Sequence, residues 1–275
     1  GWHIECSVMS LKYLGPGFDF HGGGSDLVFP HHENEVAQSE AATGTTFVRY
    51  WVHNGFINMG GEKMAKSVGN VTRVRDLVEQ YPGPALRYYL LSTHYRSPID
   101  FRLEDMPAAV RGWKRLLNLE ENLELMLAGK ETAGPADLSP GTQEFLTTLA
   151  EHRQAFETAM DDDFNTAQAV GVLFDLARDL NSYLAAGAVS GERAAVLVAG
   201  HDLFLSLGGV LGLTGVDEGR LDKVLVDGLV QLVAELRQEA RTRKDYGTAD
   251  RVRDRLAELG IILEDTAAGV RWRYK

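Results

Sequence analysis

The sequence predicts an α/β region, then a mostly helical one, then a small α/β unit at the end. Three observations predict this order. Aromatic and β-branched residues run over 18–20 and 47–52, and the first run enters glycines while the second leads to one, as strands do where they meet tight loops. From 106 to 215 the apolar residues recur at the helical period. From 237 onward ten Lys/Arg stand against seven Asp/Glu, a local net charge of +3 in a chain of net −11.

Length and composition narrow the classes. A chain of 275 residues has enough apolar sequence for one large domain or two to three smaller ones. The net charge argues against a protein that coats nucleic acid generally, while leaving room for a local basic patch. One cysteine rules out an intramolecular disulfide framework and suits a reducing compartment. No apolar run of transmembrane length and no signal peptide stand out, so a cytoplasmic protein without membrane contact is expected.

In the first hundred residues the chemistry-bearing types concentrate. Pro30 is placed to open a helix, which puts His31 and Glu35, at i and i+4, on one face. Imidazole, carboxylate and the thiolate of Cys6 form a plausible zinc set, although such a pair is also an ordinary polar face and a lone cysteine an ordinary small apolar residue. The strand at 18–20 ends in His21-Gly22-Gly23-Gly24, where a backbone can approach a ligand closely; a plain turn reads equally well. Asp26 holds a ribose hydroxyl or caps that turn. Lys63 and Lys66 lie three apart in a glycine-flanked loop, suited to a polyphosphate or to solvent.

Taken in order, the 1–6 stretch with Cys6, His21 to Gly24, His31 to Glu35 and Lys63 to Ser67 resemble cysteinyl-tRNA synthetase, a class I aminoacyl-tRNA synthetase with a Rossmann-type catalytic domain. The Lys63-Met64-Ala65-Lys66-Ser67 run resembles the KMSKS signature, with Ala65 in place of its first serine. The resemblance implies that Cys6, His31 and Glu35 hold one Zn2+, to which the thiolate of substrate cysteine binds. It also implies that Trp2 and His21 line the cysteine pocket, and that Gly22, Gly23, Gly24, Asp26 and Lys66 serve ATP, taken up with Mg2+. Lys66, with Lys63 beside it, is then the catalytic lysine that steadies the phosphates. The family's further zinc-ligating cysteine and its HIGH signature have no counterpart in this sequence. The chain is therefore expected to be a C-terminal portion, inactive alone and partnered by an N-terminal remainder.

Beyond the lysine loop, Val74, Leu77 and Val78 mark a helix, and residues 86–97 read as a buried helix ending at Pro98. The periodic stretch after 106 reads as a bundle broken between Gly129 and Gly141. The Asp161-Asp162-Asp163-Phe164-Asn165-Thr166 run lacks the spaced ligands and the glutamate of a calcium loop and reads as helix capping. Near the end Ala249, Val252, Leu256 and Leu259 form a helical face, followed by strand-like runs at 261–263 and 269–274.

By resemblance this last part reads the anticodon of tRNA(Cys), with Arg241, Asp250 and Asp265 bonding bases and Tyr246 stacking. The implied division is 1–105, the second part of the catalytic domain; 106–218, a tRNA-binding bundle; and 219–275, the anticodon unit. The expected activity is that of a cysteine–tRNA ligase, as a monomer. Two other readings remain open: a cysteine ligase of the same ancestry that serves mycothiol synthesis, and a non-catalytic tRNA-binding fragment.

Overall fold

The computed structural model describes residues 1–63, 72–130, 138–189, 191–215, 221–243, 245–258, 261–266 and 269–274. They form two compact units, Gly1–Val216 and Asp217–Lys275. The first unit opens with α1 (Trp2–Leu14), β1 (Phe18–Gly24), α2 (Glu33–Thr43) and β2 (Val48–Asn54). Parallel pairing of β1 with β2, Phe18 opposite Val48 and Gly24 opposite Asn54, makes a β-α-β crossover. Both strands therefore end at the same edge, where ligands bind in open α/β sheets. Among the described residues β1 has β2 as its sole partner, and α1 exposes Val8, Met9, Tyr13 and Leu14.

A second small sheet has the order β4 (Glu62–Lys63), β3 (Ile57–Met59), β5 (Ile99–Phe101). Helices α3 (Val74–Gln80) and α4 (Gly83–Leu91) lie between its strands in sequence. Leu77, Leu86, Phe101 and Met106 form the buried cluster that ties α3 and α4 to β5. The helix expected to reach Pro98 stops at Leu91: Ser92 caps it, and the chain turns through 92–98 into the unexpected strand β5. Parallel pairing of β5 with β3 explains the difference, because it draws Ile99 to Phe101 into a sheet that local periodicity does not announce.

The bundle consists of α5 (Met106–Leu127), α6 (Pro140–Asp161), α7 (Thr166–Ala185) and α8 (Gly191–Leu211). Trp113, Leu116, Leu123, Leu173, Leu180, Leu197 and Phe204 are essentially inaccessible and form its core. Pro140 sits in the first turn of α6, where its missing N–H costs nothing, and Asn165 caps α7 by accepting from the Gln168 N–H at 3.1 Å. By length and composition α8 qualifies as a membrane span, a feature the sequence reading passed over; Leu197, Phe204 and Leu207 on it are buried within the bundle.

The second unit contains α9 (Leu221–Thr242), α10 (Tyr246–Glu258) and an antiparallel hairpin of β6 (Ile261–Thr266) and β7 (Gly269–Tyr274). Val230, Ala234 and Ala240 of α9 and Ala249 and Leu256 of α10 are buried in it.

Candidate metal centre

Of the side chains expected to matter, Trp2, Cys6, His21, His31 and Glu35 meet where α1, α2 and the strand pair β1–β2 converge. Pro30 does not open α2, which begins at Glu33; the chain reaches it through a kinked segment over Val28–His32 in which Phe29 is extended, and His31 Nε2 then stands 2.7 Å from Glu35 Oε1. Cys6, one turn into α1, joins them: the candidate ligand atoms of Cys6, His31 and Glu35 all lie within 4.8 Å of one another. His21, His32 and Glu35 make a second such group. His21 Nε2 approaches Glu35 Oε2 at 3.3 Å, so an imidazole faces each carboxylate oxygen.

Further histidines surround this centre. His3 Nδ1 lies 2.8 Å from His31 Nδ1, and His53 Nε2 lies 2.8 Å from His32 Nδ1. Trp51 packs its ring 4.7 Å from His21 and 4.8 Å from His32, and Trp2 packs 4.0 Å from His31. Burial holds the imidazoles neutral. His32 is lowered to about 4, first by desolvation and then by its histidine neighbours, and His21, His31 and His53 are lowered chiefly by burial too. Neutral imidazoles offer the lone pairs that a metal takes.

Glu35 is the anomaly. Its carboxylate is fully buried, and neither oxygen receives a hydrogen bond of proper direction despite the two nearby imidazoles. Burial pushes its carboxyl up to about 7, and burial, then Glu35 itself, raises the Cys6 thiol. A buried carboxylate without compensation is costly, and a divalent cation among these atoms would supply the missing positive charge. Thiol, imidazole and carboxylate are a donor set that zinc accepts, so the residues fit that ion.

The glycines close the centre from the β1 side. A Cβ on Gly23 would stand 2.7 Å from His32 Cε1, and one on Gly24 would stand 2.5 Å from Asp26 Oδ1. Asp26 is exposed in the 3₁₀ turn after β1. Asn34 bonds the Pro30 carbonyl at 2.6 Å and takes no part in the cluster. Lys63 ends β4, and Lys66 lies outside the described residues. In the second unit Arg241 is in the last turn of α9, Tyr246 opens α10, Asp250 pairs with Arg253 at 3.0 Å, and Asp265 stands opposite Val270 in the hairpin.

His3, His53, Tyr95 and Arg96 carry structure that the sequence reading left unassigned. For His53 a signal existed: it precedes Asn54 and Gly55 at the carboxyl end of a strand parallel to β1.

Three family descriptions match the chain in succession. Residues 1–111 match "tRNA synthetases class I (C) catalytic domain", 155–215 the "DALR domain", and 233–273 the "Cysteinyl-tRNA ligase anticodon binding domain". A cysteine–tRNA ligase of Pelotomaculum thermopropionicum is 54% identical over 287 residues, covering 99% of this chain and 58% of the relative. One from Moorella thermoacetica is 54% identical over 279 residues, covering 99% and 57%. The chain thus spans less than three-fifths of these relatives' length. In fold, it resembles the LeuRS–tRNA–LeuAMS ternary complex of Agrobacterium radiobacter K84, with a TM-score of 0.54 at 21% identity over 70% of this chain and 27% of that one. By these successive matches and an identity above one half, the chain belongs to the cysteinyl-tRNA synthetase family, of class I.

Proposed function

We propose that this chain carries the cysteine-selecting and tRNA-reading parts of a cysteine–tRNA ligase, which activates cysteine with ATP and Mg2+ and transfers it to tRNA(Cys). The observation that carries the reading is the convergence of Cys6, His31 and Glu35 around a buried carboxylate lacking hydrogen bonds. These three residues hold one Zn2+. Bound zinc supplies a soft Lewis acid that lowers a thiol's pKa, and so distinguishes cysteine from serine where shape alone discriminates weakly. Trp2 and His21 flank this position and line the cysteine pocket. Gly22 to Gly24 and Asp26, at the end of β1, face the nucleotide, and Lys63 and Lys66 steady its phosphates.

We divide the chain at 1–105, 106–218 and 219–275 into catalytic, bundle and anticodon-reading parts, acting as a monomer in the cytoplasm. The match of 233–273 to an anticodon-binding family favours tRNA over an amino-sugar acceptor.

The test is cysteine-dependent ATP–pyrophosphate exchange by the protein expressed from its own gene, with zinc measured by elemental analysis. Cysteine should drive exchange and serine should not, with one zinc per chain. Cys6→Ser should lose both the zinc and the exchange. Exchange that proceeds equally with serine, or that survives without zinc, sinks the metal-selection reading; no exchange with cysteine sinks the activity.

A further inference from the structure

The α6–α7 corner is built unlike an ordinary helix connection. Asp163 and Phe164 are consecutive non-glycine residues at φ 56° and 54°, the left-handed region that side chains disfavour. Such a backbone persists where its surroundings fix it, and here both side chains are held by the α/β part. Asp163 Oδ1 accepts from the Tyr95 hydroxyl at 2.7 Å and from Arg96 Nη2 at 2.9 Å, while Arg96 Nε donates to Oδ2. The Phe164 ring meets Phe20 edge-on at 6.0 Å, one residue before His21. Thr166, at the start of α7, donates to the Leu91 carbonyl at 3.0 Å.

From Tyr95 and Arg96 the contacts continue to the metal centre. The Gly55 N–H donates to the Tyr95 carbonyl at 2.7 Å, and a Cβ on Gly55 would stand 2.5 Å from the Ser97 carbonyl. Two residues earlier His53 pairs with His32. Between corner and strands lies an apolar cleft of about 430 Å³, lined by Val52, Ile57, Leu90, Tyr95, Ile99 and Phe164. Where the layers are not packed solid, the polar clamp sets their relative angle.

We infer that the Asp163–Phe164 corner braces the helical bundle against the site-bearing strands, and that Asp163 is a positioning residue for delivering the tRNA end to the activated amino acid. The inference rests on the ligase reading above. A brace of this kind matters to transfer, which needs bundle and site in register, and little to activation, which needs the site alone.

Asp163→Asn in the protein expressed from its own gene tests it. Asparagine keeps the size and tolerates a positive φ, so the fold is retained while the grip on Arg96 loosens. Cysteine-dependent exchange should stay within about twofold of wild type, while kcat/KM for tRNA cysteinylation falls about tenfold. Arg96→Gln combined with Asp163→Asn should cost no more than either alone, because the two act as one unit. Parallel loss of both reactions, or unchanged transfer, overturns the inference. Should the wild type show no exchange, the ligase reading fails by itself and the brace is judged by amide hydrogen exchange on this chain. Faster exchange, by about tenfold or more, at residues 53–55 and 94–97 in Asp163→Asn then supports it, and unchanged protection overturns it.

Discussion

Gly23 and His32 interlock: a Cβ on the glycine would stand 2.7 Å from Cε1 and 3.1 Å from Nε2 of the imidazole, and 3.0 Å from Leu27 Cδ1. His32 is 4% exposed and held by His53 at 2.8 Å, so it has little room to withdraw. The absence of a side chain at this position has a steric cause in the protein itself, apart from any nucleotide.

Gly23→Ala should therefore destabilise the chain by about 1–3 kcal/mol, the usual cost of overpacking. Urea unfolding measures the loss, and the imidazole resonances of His32 and His53 should move together. A variant as stable as wild type with unshifted imidazoles would show that His32 is not confined by the glycine.

The interlock also marks where sequence reasoning stops. That His31 and Glu35 share a face follows from their spacing, since the helical repeat alone brings i and i+4 together. The strands ending in Gly24 and Asn54 and a helical bundle after 106, broken between Gly129 and Gly141, were equally legible, because local periodicity encodes them. His32 meeting His53, and Cys6 arriving beside His31, are contacts across 21 and 25 residues that no local pattern encodes. Strand β5 escaped because three residues are too few to show an alternation, and its partner β3 is remote in sequence. Helix capping within 161–166 was legible and Asn165 supplies it, whereas the reach of Asp163 back to Arg96, across 67 residues, was not.

The end of α8 is anchored by a buried indole. Trp113, 1% exposed, donates from Nε1 to the Leu213 carbonyl at 3.0 Å, and Glu120, two turns further along the same face of α5, accepts from the Gly215 N–H at 3.0 Å. Trp113→Phe keeps most of the packing and orphans the carbonyl, which should cost about 1–3 kcal/mol. Trp113→Ala adds a cavity and should cost about 3–5 kcal/mol. Denaturant midpoints at constant slope check both values. Equal stability of wild type and the phenylalanine variant would mean that the bond to Leu213 contributes nothing.

Acid should loosen the α6–α7 corner. The Asp163 carboxyl is held down at about 2, first by its hydrogen bond from Arg96 and then by that from Tyr95. A carboxyl lowered from its ordinary 3.8 contributes stability that is fully present above that value, and loses it as the pH falls from there through about 2. The stability gap between wild type and Asp163→Asn should accordingly be constant above about pH 5 and narrow towards pH 2. Urea titrations of both proteins across that range measure it. A gap that ignores pH would place the effect of the substitution elsewhere than in the carboxylate's charge.

Tyr246, 61% exposed, opens α10 next in the chain to a stretch that carries Arg241 and Arg243. An exposed ring beside cations suits stacking with an unpaired base, worth about 1–3 kcal/mol by truncation. Under the anticodon-reading proposal, Tyr246→Ala should weaken tRNA(Cys) binding by that amount and leave its salt dependence unchanged, since no charge is removed. Arg241→Ala should instead reduce the salt slope by about one, the mark of a lost phosphate contact, or relax discrimination at one anticodon base if the guanidinium reads a base edge. Tyr246→Trp should bind at least as well as wild type because the larger ring stacks better. Filter binding of tRNA(Cys) and of a tRNA with a different anticodon, over a range of salt, separates these outcomes. If Tyr246→Ala weakens both tRNAs alike, the ring does not distinguish the anticodon and the proposed reader lies elsewhere in the hairpin unit.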